Sequence, residues 1–190
     1  MSVKRRILSI VRNVLLNLVD RRSPVGQHLT SAGGYRMSFP SGAVASRFLR
    51  LAAQEGKPIT PMQLQKLVYF AHGWYCGITG ERLVHEDIEA WEFGPVIRNL
   101  YRKYKKFGSD PIEEQDHEDK RIGENTFPSS LIESIWRKYR DFDGPQLSSL
   151  THKSGPWKAT REANPGSRCA VIKTGLIVSH FRDKVHGTSS

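Results

Sequence analysis

The sequence predicts a mainly α, compact single domain with a short β-strand or hairpin around residues 82–93, and three observations carry that expectation. Apolar residues recur at intervals of three and four in several separate segments, the spacing that lines one face of an α-helix. A period of two appears only near residues 88–93, where Ile88, Ala90 and Glu92 alternate with Glu89, Trp91 and Phe93. At 190 residues the chain is long enough to bury one hydrophobic core without disulfides or metals. No internal repeat or low-complexity tract is present.

The elements follow in order. Val44, Phe48, Leu51 and Ala52 make the first helix of the domain, with Gly56 as a stop. Thr60-Pro61-Met62-Gln63 opens the second: Thr60 is a good N-cap, Pro61 suits the first helical position, and Gln63 completes a capping box. This helix carries Leu64, Leu67, Val68, Ala71, Trp74 and Tyr75 on one broad face, so it is the central one, ending at Gly77 or Gly80. Gln65, Lys66, Tyr69 and His72 fall opposite and are expected on the outside. The strand near Ala90 is expected to pair with residues near Leu83-Val84, and Gly94-Pro95 to break it and start a helix. On that helix Val96, Ile97, Leu100, Tyr101, Tyr104 and Phe107 form the inward stripe. Arg98, Arg102, Lys103, Lys105 and Lys106 form a basic back.

An acidic run, Glu113 to Asp119, reads as an exposed loop. A helix resumes after Pro128 with Leu131, Ile132, Ile135, Trp136, Tyr139 and Phe142, and Gly144-Pro145 separates it from a short helix through Leu147 and Leu150. Ser154-Gly155-Pro156 is a turn, a helical turn spans Trp157 to Glu162, and a closing helix through Leu176 to Phe181 has Thr174 as its cap.

The formal net charge of +10 is unevenly placed. Residues 1–36 hold seven Lys or Arg against one acid, whereas residues 37–190 hold 22 against 18. The domain, taken as 41–183, is only mildly basic, which is weak grounds for a nucleic-acid partner. Residues 1–40 read as a basic extension and linker, and 184–190 as a C-terminal tail. The apolar stretch Ile7–Val19 is interrupted by Arg12 and too short to span a membrane. It reads first as a helix packed on the domain or as sequence upstream of a start at Met37, and after those as a basic amphipathic helix touching a membrane surface. Two cysteines, Cys76 and Cys169, lie far apart without metal or redox spacing. They are expected to be free, packed thiols in a reducing, cytoplasmic setting.

Enzyme signatures are absent: no phosphate-cradling loop, dinucleotide fingerprint or nucleophile elbow occurs. His85-Glu86-Asp87-Ile88-Glu89 places a glutamate where a zinc protease needs its second histidine, and Asp116-His117-Glu118-Asp119 lacks the glycine and spacing of a calcium loop. No metal, cofactor or enzymatic activity is therefore expected. His152 is the best single catalytic candidate, but its expected role is to cap or bridge backbone groups at the Gly155-Pro156 turn, with Trp157 filling a core gap. The basic helix back invites a phosphate reading. Its cations and aromatics occupy opposite faces, however, so a solvated face, and then docking to an acidic protein, rank above it.

Four ordered blocks carry a family resemblance. Leu64-Gln65-Lys66-Leu67-Val68-Tyr69-Phe70-Ala71-His72-Gly73-Trp74, then Ala90-Trp91-Glu92-Phe93-Gly94-Pro95-Val96, then Thr151-His152 and Pro156-Trp157 resemble the Panacea or SocA-like antitoxin domain of bacteria and their phages, which includes phage GepA-like proteins. The resemblance covers roughly residues 41–181. It implies an antitoxin that binds a cognate protein toxin directly, and one member type delivers its toxin to an ATP-dependent protease. Trp74, Trp91, Gly94, Pro95, Tyr101, His152 and Trp157 match family positions, with structural or binding roles. Lys66, Tyr69 and His72 from the far face of the central helix, with Arg98 and Arg102 from the basic back, are the expected toxin contacts, since interface anchors are enriched in such side chains. The alternatives are a prophage-encoded hydrolase using His152 and a nucleic-acid-binding regulator, although no helix-turn-helix is evident.

Overall fold

The computed structural model describes residues 38–113, 121–153 and 155–187. Helices α1 (Ser41–Gln54) and α2 (Pro61–Thr79) lead into a hairpin of β1 (Glu89–Trp91) and β2 (Gly94–Val96). Helix α3 (Arg98–Tyr104) ends in one turn of 3-10 helix, Lys105–Phe107. Helices α4 (Phe127–Tyr139), α5 (Gly144–His152) and α6 (Pro156–Ala163) precede β3 (Ala170–Val171) and the closing helix α7 (Thr174–His186). The strands form an antiparallel sheet in the order β2-β1-β3, with Ala90 opposite Pro95 on one side and Ala170 on the other. The protein is mainly α with a small sheet, as the periodicities require.

Helix α2 is the axis of the molecule, packed by α1, α3, α4, α5, α7 and β2. Its start forms as the sequence predicts: the Thr60 side chain accepts from the Gln63 backbone N–H, and the Gln63 side chain accepts in return from the Thr60 N–H. Gly80, in the left-handed region at φ 77°, ends it. Two glycines let α7 lie against it. A Cβ on Gly73 would stand 2.2 Å from the Phe181 ring, and one on Gly77 would stand 2.6 Å from the Phe181 carbonyl carbon. Phe181 itself meets Tyr69 and Trp74 edge-on at 6.0 and 5.6 Å between ring centres.

This axial position overturns one expectation. Gln65, Lys66, Tyr69 and His72 are buried, so α2 has no outward polar face. A hydrophobic stripe opposite a polar one usually marks a surface helix; here neighbours cover both. His72 shows how the polar groups are accommodated: its Nδ1 accepts from the Val84 N–H at 3.2 Å, which assigns the hydrogen to Nε2, facing the Cys76 Sγ at 3.3 Å. Burial, and then the charge of Arg82, hold the His72 pKa down to about 3.

The strand partners also differ from those expected. Leu83-Val84 pair with Phe39 instead, through Phe39 N–H to Leu83 O at 2.7 Å and a parallel bridge at Val84. Phe39 is buried, so the linker reading ends before it. Gly94-Pro95 does not break the strand but forms the second arm of the hairpin, and Pro95 is tolerated because β2 is an edge strand. Gly144-Pro145 likewise forms the first turn of α5, with Asp143 as cap, and Thr174 lies inside α7 with Lys173 at the cap position. Helix α7 runs past residue 183, the expected end of the domain. Glu86, in the segment that mimics a zinc motif, instead crowns α1: its carboxylate accepts from the Ser41 N–H at 2.8 and 3.0 Å and from the Ser41 hydroxyl at 2.6 Å. A carboxylate is stabilised there by the free N–H groups and the helix dipole.

Cys76 is a buried free thiol, whereas Cys169 is free and exposed rather than packed. No helix among the described residues is long and apolar enough to cross a membrane. The basic N-terminal extension up to Met37, most of the acidic run and Ser154 lie outside the described residues.

The α2–α7 contact predicts a contrast between two glycines. Gly77→Ala must push the backbone of α7 away and is expected to cost about 3 kcal/mol, the upper end for overpacking. Gly175→Ala meets nothing within 4 Å and is expected to be neutral or slightly stabilising. Urea unfolding of the two proteins checks both.

Candidate functional site

A hairpin that emerges from a helical bundle must find partners for backbone groups that no neighbouring strand reaches. Here side chains supply them, carbonyl by carbonyl. Trp91 O accepts from Trp157 Nε1 at 2.8 Å, Phe93 O from Ser148 Oγ at 2.8 Å, and Pro95 O from Lys66 Nζ at 3.1 Å. Gln65 makes a paired contact with Ile97, donating to its carbonyl at 3.1 Å and accepting from its N–H at 2.9 Å. Arg161, which donates to Ser167 O at 2.7 Å, lies 3.5 Å from Ala90 O. Residues 90–97 are therefore clasped by three different helices, α2, α5 and α6.

Lys66 is the costliest of these clasps. It is 1% exposed, and it makes no ion pair with a carboxylate among the described residues. An ammonium removed from water without a counter-charge favours its neutral form, and burial holds the Lys66 pKa down to about 7. Gly94 makes room for it. At φ 99° this residue sits where side chains are disfavoured, and a Cβ would stand 2.7 Å from Thr151 Oγ1 and 2.9 Å from Lys66 Nζ. Thr151 is itself tied back to Ser148 O at 2.6 Å.

His152 lies flat on Trp157, with ring centres 3.9 Å apart and planes 16° from parallel. Its Nε2 is buried without a hydrogen-bond partner, so no capping bond from that atom to the Gly155-Pro156 turn forms. Burial, and then the charge of Lys66, lower its pKa below the ordinary histidine value, which favours the neutral ring. The stack positions the indole so that its N–H reaches Trp91 O.

The outward side of the sheet is arranged around one carboxylate. Glu89 is buried and accepts from Arg98 Nε and Nη2 at 2.9 and 2.7 Å and from Trp91 Nε1 at 2.7 Å. The Arg98 guanidinium lies 5.7 Å from the centre of the Trp91 ring, and Tyr101 meets the same indole at 4.8 Å. Among the described residues, no group of three or more His, Cys, Asp or Glu is placed to hold a metal ion.

Residues 64–158, half of the chain, match the family model described as Antitoxin SocA-like, Panacea domain. The chain belongs to this family. A curated relative, the antitoxin SocA of Caulobacter vibrioides (strain NA1000 / CB15N), is 44% identical over 71 residues, covering 37% of this chain and 38% of that protein. The aligned part is thus well under half the length of that relative. No solved structure matches.

The Panacea motif blocks, far apart in sequence, meet at the hairpin. Lys66, Trp91, Gly94, Pro95, His152 and Trp157 form or adjoin the clasp, and Tyr101 and Arg98 stand on its outer side. Tyr69, His72 and Trp74 are elsewhere, buried on α2 against α7 or the Leu83-Val84 segment. Arg102 is exposed on α3, as expected of the basic back, whereas Arg98 is not a free cation but the partner of Glu89. Tyr101 is 43% exposed and so leaves the inward stripe assigned to it. Sequence reasoning missed Glu89, Ser148 and Arg161, whose roles depend on the hairpin's position and carry no local signal. Gln65 stood inside a recognised block but on the face taken for solvent.

Two measurements test the clasp. Folded Lys66 releases its proton near pH 7 while the unfolded chain keeps it to the ordinary 10.5, so the unfolded state binds more protons between those values and stability rises with pH. From pH 7 to 8.5 the Lys66 contribution is about 1.5 kcal/mol, and Lys138, held down to about 8, adds in the same sense. Urea unfolding across this window is expected to show the parent gaining about that much more than Lys66→Met. Trp157→Phe keeps a ring on His152 but removes the donor to Trp91 O, and thermal unfolding is expected to report a loss of about 1–2 kcal/mol.

Proposed function

We propose that this protein is the antitoxin of a bacterial or prophage toxin–antitoxin pair and neutralises its cognate protein toxin by direct binding in the cytoplasm. The observation that carries this reading is the family match over residues 64–158, whose motif residues converge on a hairpin clasped from within while Phe93 at its tip is exposed. A binding protein needs such an arrangement: anchors held in place before the partner arrives lose less conformational entropy on association. Lys66, Tyr69 and His72 then serve the frame rather than the contact, and Arg102, with the outer side of the hairpin, replaces them. Delivery of the bound toxin to an ATP-dependent protease is the second arm of the proposal. Under it, the same contact precedes degradation instead of standing alone.

The test is expression of the reading frame adjoining the gene, alone and together with this protein, in growing bacteria. Growth is expected to stop in the first case and recover in the second, with a stoichiometric complex on co-purification. Unchanged toxin levels on recovery indicate blocking, and loss of the toxin dependent on an ATP-dependent protease indicates delivery. Failure to restore growth with both proteins present overturns the reading. The unpartnered Nε2 of His152 favours one other reading, a hydrolase that uses this imidazole as base. A folded His152→Ala protein that still neutralises the toxin sets it aside.

A further inference from the structure

The face of the sheet that carries Glu89 and Trp91 gathers exposed rings and cations in one place. Val171 stands opposite Glu89 in the β1–β3 register, and Trp91 follows Glu89 by two residues, so the three side chains share that face. Arg98 bonds to Glu89 and Tyr101 meets the Trp91 ring, so α3 turns the side that holds both toward it. Positions three, four and seven beyond Arg98 fall on one side of a helix, which adds Arg102 and Lys105 to Tyr101. Phe93, two residues past Trp91 at the hairpin tip, is 62% exposed, Val171 is 50% exposed and Tyr101 is 43% exposed. The sequence alone set the rings and the cations of α3 on opposite faces. The structure brings Tyr101 out to the cations.

Positive charge is concentrated there too. With Lys103 and Lys106 set aside, residues 89–109 and 167–173, which hold the sheet, α3 and their flanks, carry five Lys or Arg against two acids. The rest of residues 37–190 carries 15 against 16. Of the two acids, Glu89 is buried and paired with Arg98, and only Glu92 is exposed. Arg102, Lys105, Arg168 and Lys173 are exposed and make no ion pair among the described residues. The centre of the face is the Glu89–Arg98 ion pair, and Phe93, Tyr101 and Val171 stand around it on the hairpin tip, α3 and β3. A protein interface collects its apolar side chains into a charge-depleted core, whereas a surface for single strands sets open rings among cations. The second description fits this face.

We propose that this face binds single-stranded RNA, with bases stacked on Phe93 and Tyr101 and phosphates paired with Arg102 and Lys105. An unpaired strand offers base faces to the rings and a charged backbone to the cations, while bases in a duplex are already stacked on one another. The inference goes beyond the antitoxin reading and stands without it. Where both hold, RNA and toxin meet the same outer side and exclude one another.

The test is fluorescence anisotropy of a labelled oligouridine of about 15 nucleotides, long enough for one such surface, titrated with the full chain over a series of salt concentrations. The parent is expected to bind, with an affinity that falls as salt is raised. Phe93→Ala is expected to weaken binding about tenfold at each salt concentration and leave the salt slope unchanged. Arg102→Ala is expected to make the logarithmic slope shallower by about 0.7, the share of one phosphate on a single strand. Both positions are exposed, so the melting temperature of either variant is expected to match the parent's. Arg182→Ala, beside Gly80 at the far end of α2 from Lys66, is expected to bind like the parent. A parent that does not bind the oligouridine at low salt overturns the proposal, as do Phe93 and Arg102 variants that bind it unchanged. Tighter binding of a duplex, or of oligodeoxythymidine, of the same length also overturns it. If the two substitutions abolish toxin capture while the parent ignores RNA, the face belongs to a protein partner. Neutralisation is scored separately by growth, so failure here leaves the antitoxin reading in place.

Discussion

The interaction on which the rest of this structure depends is the bond from Lys66 Nζ to the carbonyl of Pro95. It joins the axial helix to the one β-corner the helices enclose. It also explains a cluster of otherwise unrelated residue choices. Gly94 must lack a side chain because Lys66 and Thr151 occupy that space, and Pro95 can forgo an N–H because only its carbonyl is needed. Among the described residues the ammonium has no carboxylate to offset its burial, so the fold stabilises this corner at the expense of a charge that prefers water. Arg47 shows the usual solution for a buried cation: it reaches Glu133 on α4 at 2.6 Å. Lys66 departs from that solution because its purpose is to hold a carbonyl.

Around that bond the hairpin is supported from several directions at once. Gln65 mimics a neighbouring strand by pairing both backbone groups of Ile97, and Trp157 and Ser148 add donors from α6 and α5. Support of this kind replaces the strands that a larger sheet would provide. It is also directional, because each donor comes from the interior. The outward side chains Glu89, Arg98, Trp91 and Tyr101 are tied to one another, through the Glu89 carboxylate and the Trp91 ring.

The helices were legible because their signals are local. The Thr60 cap with its Gln63 return bond, the apolar period of α4, and the turn before Pro156 each depend on residues within a few positions of one another. What could not be read was long-range. The orientation of α2 looked two-faced, since Gln65, Lys66 and His72 are polar; their burial depends on partners at Ile97, Pro95 and Val84, up to 32 residues away. The second arm of the hairpin was missed for a related reason: Gly and Pro punctuate chains, and only the clasp makes them a strand. The family blocks pointed to the correct neighbourhood without revealing that they converge on one corner. They also placed His72 and Trp74 beside residues that serve it, though those two pack elsewhere.

The separation between interior clasp and outer face has a consequence for how such a protein changes over generations. Residues that secure the corner, such as Gly94, Lys66 and Trp157, are interlocked, so altering one strands another. Phe93, Arg102 and Val171 owe almost nothing to their neighbours and can be exchanged one at a time while the frame stays intact. A lineage built this way can rewrite a few outward letters without passing through an unfolded ancestor.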